Sequence, residues 1–419
     1  MQIQKVASNQ TRPPSGESSP ELAHILGAHA DAYMQDHPVG SQQRKVIRDI
    51  LHCRTPSLGG HLETCGNGCG YERVSFHSCR NRHCPKCQSL QKMRWLLERS
   101  QKLLPTTYFH VVVTLPHELN PLILRNRQRL YNLLFEAASE GLNELATGWK
   151  RLSAQPGFTA ILHTWSQELR FHVHLHRVVT AGGLSLEGDR WIPAKNDFLV
   201  PVRALAKMVR GKFLDGLQRI FEQGKLTFSG NIAGWRNPVV FKRLARKLRR
   251  MKWVVYAEPP FSGPRHVFSY LGHYTHRVAI SNQRLVAFDG QTVTFRVRDK
   301  KPGTYRVIRL VAREFIRRFL LHVLPPGFVR IRHFGLMASR NVQTKLEQAR
   351  RLLQASQPTT QTRPTEDHRI TWQKLLLKLT GIDPTVCPHC GGTILRKPLP
   401  EMLPFSAFAT LSVPVLDTS

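Results

Sequence analysis

The sequence predicts an α+β chain: a central, mainly antiparallel sheet flanked by helices and preceded by a small zinc-binding domain. Three observations predict it. Tyr108 to Leu115 and residues 170–180 are strand-like runs, bounded by Pro116 and by Gly182-Gly183, as buried strands are. Residues 121–148, 201–222 and 237–250 read as helices, the last two basic. Six of the eight cysteines fall between Cys53 and Cys87, four of them in two short pairs, which in a non-secreted chain argues for metal rather than disulfides.

In chain order, residues 1–20 are rich in Ser, Pro, Gln and Thr and read as a disordered lead-in. Apolar spacing through 21–52 predicts two helices ahead of the cysteines. Gln88 to Leu104 reads as a basic helix closed by Pro105. Strands are expected near 158–164 and 252–257, the latter ending at Pro259-Pro260. Residues 284–310 alternate apolar and charged positions, with bends at Asp289-Gly290 and Pro302-Gly303, which predicts a hairpin or meander. A helix follows near 311–323, and Pro- and Thr-rich 357–365 reads as a linker to a short module holding Cys387 and Cys390. The expected division is 1–20, a helical and zinc-binding domain at 21–104, a catalytic domain at 105–345 and a C-terminal region at 346–419.

Lys and Arg total 61 against 28 Asp and Glu, a formal charge of +33 on 419 residues. Mixed signs would serve solubility; an excess this large marks a polyanionic partner, with nucleic acid ahead of a membrane surface. No apolar run of about 18 residues and no signal-peptide pattern occurs, so the chain is expected to be soluble and cytoplasmic, with no membrane partner.

Cys65-Gly-Asn-Gly-Cys69 lies fourteen residues before Cys84-Pro-Lys-Cys87, the layout of two knuckles closing one tetrahedral ion. The expectation is a structural Zn²⁺ held by Cys65, Cys69, Cys84 and Cys87. Cys79 and His83, with Cys53, could complete a second site or substitute in the first. Arg80, Arg82, Lys86 and Lys92 surround the cluster and suit DNA phosphates. Cys387-Pro-His-Cys390 is half a site: it could recruit a ligand from elsewhere (His389 is adjacent), pair with another subunit, or be a vestigial turn.

Residues 171–176 read Phe-His-Val-His-Leu-His, so His172, His174 and His176 share one face of an extended strand. That face could be merely wet, or could hold a divalent ion. Tyr270 and Tyr274 would sit one helical turn apart, as packing aromatics or as paired nucleophiles. Together, in a strongly basic chain, a metal and two phenols are what phosphodiester transfer through tyrosine requires. His273, His276 and Arg277 could supply positive charge to a phenol whose ordinary pKa is near 10.

These stretches resemble the two-tyrosine, HUH-type rolling-circle transposases of bacterial insertion sequences, the insertion-sequence-ninety-one family. The matching segments are CRTPSLGGHLETCGNGCG, SCRNRHCPKCQ, FHVVVTLPHELN, HTWSQELRFHVHLHRVVTAGGL, YLGHYTHRVAISNQRL and EFIRRFLLHVLPPGFVRIRHFG, covering roughly residues 45–340. The resemblance implies an HUH-type nuclease domain in which His174 and His176 hold Mg²⁺ or Mn²⁺, Tyr270 and Tyr274 are the nucleophiles, and the N-terminal cysteines form the family's zinc-binding domain. Gln167 is favoured as third ligand, with His172 and His163 as alternatives. Arg80, Arg82, Lys86 and Arg277 are the candidate DNA contacts. Val173 stands where the family usually has Pro, Arg177 where it often has Cys or a small residue, and the first cysteine pair is C-x3-C rather than C-x2-C.

The implied chemistry is cutting of single-stranded DNA at the element's ends, leaving a 5′-phosphotyrosine and a free 3′-hydroxyl, then rejoining to target DNA without ATP. No G-x-x-x-x-G-K-[ST] motor motif occurs, so strand opening would fall to a host helicase or the replication machinery of a bacterial nucleoid. The competing readings are a plasmid replication initiator or relaxase of the same chemistry, and a non-catalytic, zinc-dependent DNA-binding regulator.

Overall fold

The computed structural model describes residues 3–4, 19–148, 152–195, 199–261, 279–299, 303–355 and 381–399, with 371, 373–374 and 376–377. The predicted tyrosine helix with Tyr270 and Tyr274, together with His273, His276 and Arg277, lies outside the described residues.

A five-stranded sheet organises the chain, in the order Val254–Phe261, Tyr108–Thr114, Phe171–Thr180, Gly157–Trp165 and Ile331–Gly335. Every neighbouring pair is antiparallel, and the histidine strand sits in the middle. The fold is therefore α+β. Period-two alternation gives the sheet two unlike faces. Val111, Val113, Ala160, Leu162, Val173, Leu175 and Val179 pack into one apolar core with Leu130, Leu134, Val209, Phe213, Phe241 and Leu248 of three helices, Arg127–Thr147, Val202–Glu222 and Pro238–Arg250. The other face carries the histidines.

The helix expected over 121–148 is two helices, Asn120–Arg125 and Arg127–Thr147. Asn126 breaks them, its amide bridging the carbonyls of Leu122 and Thr227 while its side-chain oxygen accepts from the Thr227 N–H. Pro238–Arg250 starts where Asn237 accepts from the Val239 and Val240 N–H groups, an Asn cap followed by Pro at the first helical position. At the end of the histidine strand Gly182 has φ +145°, and a Cβ there would lie 2.6 Å from the Ile192 carbonyl oxygen, so the turn into Gly182–Ser185 demands glycine.

The expected meander is present as Leu285–Phe288, Thr292–Arg298 and Tyr305–Val311. Ile3–Gln4 adds to its edge through backbone pairing, inside the segment expected to be a disordered lead-in. This sheet shares a core with the helices Leu22–Asp36, Ser41–Leu51 and Ala312–Leu321. Cys53 and Cys84 are buried in that same core. Cys79 and Cys87 pack against the same core, while Cys65, Cys69, Cys387 and Cys390 gather at one end of a three-stranded sheet in the order Ile394–Pro398, Gly60–Cys65 and Glu72–Phe76.

Burial places three histidines where they cannot easily charge. His83, His322 and His333 are each held down to about 3, chiefly by desolvation. His322 sits between the Thr164 hydroxyl and the Leu169 carbonyl, and His333 beside the Thr159 hydroxyl. Below the unfolded value of about 6.5 the unfolded chain takes up protons that the folded chain refuses. Their contribution is thus intact above about pH 6.5 and lost as pH falls toward 3. Each group costs up to about 1.4 kcal/mol per pH unit in that window. Denaturant melts from pH 7 to 4 are expected to show stability falling by several kcal/mol; a flat profile would count against these three being buried neutral.

Candidate metal centre and active site

Register brings the imidazoles together. His163 pairs directly opposite His174 across the two central strands, and His176 follows two residues along the same face. Ligating atoms of His163, His174 and His176 all lie within 4.8 Å of one another. Their rings meet edge-on, with centres 4.5 Å apart for His163 and His176, 4.8 Å for His174 and His176, and 5.5 Å for His163 and His174. Trp165 stacks on His163 at 4.5 Å and walls the cluster. All three histidines are buried.

Each ring is set by what its other nitrogen touches. The His174 Nδ1 lies 2.9 Å from the His172 carbonyl oxygen, which can only accept, so Nδ1 carries the proton and Nε2 the lone pair. For His176 the setting is longer. Glu258 and His110 are a cross-strand pair, and Glu258 Oε2 lies 2.7 Å from His110 Nδ1. The carboxylate accepts, so His110 donates from Nδ1 and presents Nε2 as an acceptor to His176 Nδ1, 3.0 Å away. His176 therefore also offers Nε2. Desolvation holds His174 down to about 4 and His176 well below the ordinary value, so both are neutral at pH 7, the form that binds metal.

Gln167, favoured from sequence as the third ligand, does not join them. It lies in the turn between the two strands, where its side-chain oxygen accepts from the Arg298 N–H at 2.9 Å and its carbonyl accepts from Arg284. His172 is exposed at the strand's outer end and contributes its carbonyl rather than its ring. His163 takes the third place, because an antiparallel hairpin puts a residue of the preceding strand opposite His174.

The cysteines also regroup. Cys65 and Cys69 do not lie with Cys84 and Cys87. One cluster is Cys53, Cys79, Cys84 and Cys87, and the other is Cys65, Cys69, Cys387 and Cys390, each within 4.8 Å. In the first, Sγ of Cys87 is 3.3 Å from Cys53 and 3.6 Å from Cys79. Hydrogen bonds from Cys79 and Cys84 lower Cys53 to about 7, and those from Cys53 and its neighbours lower Cys87 further. His83 stays out, its Nε2 accepting from the Leu324 N–H at 3.3 Å.

The basic residues beside the cysteines divide by role. Arg80 is exposed, with φ +53°. Arg82 donates to the Phe328 carbonyl at 2.6 Å, and Lys86 pairs with Glu21 at 2.5 Å, so both are engaged within the chain. A larger cationic face lies on Pro238–Arg250, where Lys242, Arg243, Arg246, Lys247, Arg249 and Arg250 are exposed. Arg243, Arg246, Lys247 and Arg250 line a shallow cavity of about 410 Å³.

Comparison with known proteins identifies the family. A family model described as "Transposase zinc-binding domain" matches residues 25–115, and one described as "Putative transposase" matches residues 157–345. "Putative transposase y4qJ" of Sinorhizobium fredii is 44% identical over 376 residues, 89% of this chain and 93% of that protein. "Transposase for insertion sequence element IS801" of Pseudomonas savastanoi pv. phaseolicola is 26% identical over 366 residues, 84% of this chain and 82% of that protein. No solved structure matches significantly. Among the described residues no helix is long and apolar enough to cross a membrane. Zinc binding follows from the matched domain and the two thiol clusters together. The chain belongs to the insertion-sequence-ninety-one family of transposases and carries that family's N-terminal zinc-binding domain.

Proposed function

We propose that this transposase cuts and rejoins single-stranded DNA at insertion-sequence ends, with Tyr270 and Tyr274 as nucleophiles beside a divalent ion held by His163, His174 and His176. The observation that carries the reading is the three buried imidazoles converging on one face of the central sheet. Three neutral imidazoles are by themselves the donor set of borderline first-row ions, and Mn²⁺ or Mg²⁺ would need phosphate and water oxygens to complete its shell. Such an ion neutralises the non-bridging oxygens of a phosphodiester.

The chain's own groups do the rest. A tyrosyl oxygen attacks phosphorus, the new bond to the phenol forming as the bond to the 3′-oxygen breaks. The phenolic proton leaves to a base, and the 3′-oxygen gains one. Because the ester keeps the bond energy, a second 3′-hydroxyl can reverse the step on another strand without ATP. Glu258 and His110 are positioning residues that hold the His176 tautomer. The exposed cations of Pro238–Arg250 are a track for backbone phosphates. Cys53, Cys79, Cys84 and Cys87 hold a structural zinc that fastens the N-terminal helices to the rest of the chain.

Incubation with a single-stranded oligonucleotide carrying the element's end, in Mg²⁺ or Mn²⁺, is expected to give a nicked product and a denaturant-resistant protein–DNA adduct. Tyr270→Phe with Tyr274→Phe is expected to abolish the adduct. Adduct formation by that double variant would overturn the assignment of nucleophiles, and binding without cleavage by the wild-type chain would overturn the reaction.

A further inference from the structure

We propose that Cys65 and Cys69 share a second zinc ion with Cys387 and Cys390, so that the C-terminal module is clasped onto the N-terminal zinc-binding domain. The two pairs lie more than three hundred residues apart, yet Cys65 Sγ is 3.4 Å from Cys390 Sγ and Cys69 Sγ is 3.6 Å from Cys387 Sγ. Those separations are far beyond a disulfide's ~2.05 Å bond. They are close to the ~3.8 Å between thiolates on a tetrahedral ion with Zn–S near 2.3 Å.

Both pairs sit in matching turns. Cys65-Gly-Asn-Gly-Cys69 has Gly68 at φ +70°, and Cys387-Pro-His-Cys390 is followed by Gly391 at φ +75°. The Gly391 N–H returns to the Cys387 carbonyl at 2.9 Å, and the Gly66 N–H reaches the Thr393 carbonyl at 2.8 Å, so the knuckles are stitched to each other. From there Ile394–Pro398 runs antiparallel to Gly60–Cys65 in unbroken register, Ile394 opposite Cys65 and Pro398 opposite His61.

Apolar burial does not account for this docking. No residue of Ile394–Pro398 is buried, Leu395 is 48% exposed and the adjoining Val386 42% exposed. Beyond its backbone bonds the strand has a cross-strand ion pair, Arg396 Nε to Glu63 Oε1 at 2.9 Å, and such a pair near the surface adds at most about 1 kcal/mol to an edge strand that is marginal in water. Closing a loop of several hundred residues adds an entropic cost. Cys387, at 2% exposed, is a buried residue of the module, and its Sγ lies within 4.8 Å of the other three sulfurs. Four converging thiols supply what the missing core does not. Binding replaces thiol protons by the ion, with no redox step.

The test counts zinc per chain by inductively coupled plasma mass spectrometry on the full-length protein purified under reductant. Comparison is with Cys387→Ser, Cys390→Ser and with Cys65→Ser, Cys69→Ser. Each double variant is expected to hold one zinc fewer than wild type, and hydrogen exchange in 60–65 and 394–398 is expected to accelerate in the C-terminal variant. A wild-type value of two falling to one supports both thiol clusters; one falling to zero supports this clasp and removes zinc from the Cys53 cluster. An unchanged count overturns the clasp. Should either variant fold poorly, cobalt titration of the wild-type chain decides: two equivalents developing thiolate-to-cobalt absorption are expected, and saturation at one with Cys387 and Cys390 still alkylatable overturns the proposal.

Discussion

Replacing His174 and His176 together by Ala is expected to lower metal-dependent nicking of single-stranded DNA by at least roughly 10³-fold, while oligonucleotide binding at low salt stays near wild type. Removing one donor that stabilises developing charge typically costs about 10²–10³ in rate, and losing two of three ligands forfeits the ion itself. Binding survives because the exposed cations of Pro238–Arg250 lie on an element that contributes none of the histidines. Glu258→Gln separates positioning from ligation. It keeps the volume and a hydrogen-bond acceptor but removes the charge that makes His110 donate from Nδ1. Outer-sphere partners of this kind are worth about 10–100-fold in metal affinity. The expected signature is a higher Mn²⁺ concentration for half-maximal nicking, with a near-normal rate at saturation. Wild-type rates in the His174 and His176 double variant would leave these imidazoles without a catalytic role.

The sheet's histidine face was readable because a strand's period of two is exact: Val173 and Leu175 had to be core if His174 and His176 were not. The third histidine was less legible. His163 and Gln167 both precede the strand, and only the register of the Gly157–Trp165 and Phe171–Thr180 hairpin sets His163 opposite His174 and leaves Gln167 in the turn. That register shifts at His163 to Trp165, an irregularity with no marker in the residues themselves. His110 and Glu258 belong to strands almost 150 residues apart, so no local pattern ties them to His176. The cysteines were legible as knuckles but not as partners. Spacing says that Cys65-x3-Cys69 and Cys84-x2-Cys87 are turns; it does not say which two turns meet, just as cysteine spacing does not fix disulfide connectivity. Proximity in sequence paired them with each other, whereas the fold sends one to Cys387 and Cys390 and completes the other with Cys53 and Cys79.

That division predicts unequal consequences for the two clusters. Cys84→Ser is expected to remove one zinc and to destroy cooperative unfolding of the N-terminal helices with the Leu285–Val311 meander, whereas loss of Cys387 and Cys390 leaves the catalytic sheet's melting nearly unchanged. Cys84 is fully buried and Cys53 2% exposed, in one core with Ile25, Ile47, Phe295 and Phe315. Free energies of roughly 10–16 kcal/mol are typical of structural zinc in small finger peptides, as large as the whole stability of an ordinary domain at about 5–15 kcal/mol. Serine in place of Cys84 would also leave a hydroxyl and three thiols in that core with no ion to satisfy them. The clasp at Cys387 lies instead on an exposed sheet edge, and freeing it uncovers almost no apolar surface. Thermal melts followed by near-ultraviolet circular dichroism, with zinc counted before and after, compare the two. Equal and small effects would mean that the buried thiols stand without metal and that apolar packing alone holds the N-terminal helices in place.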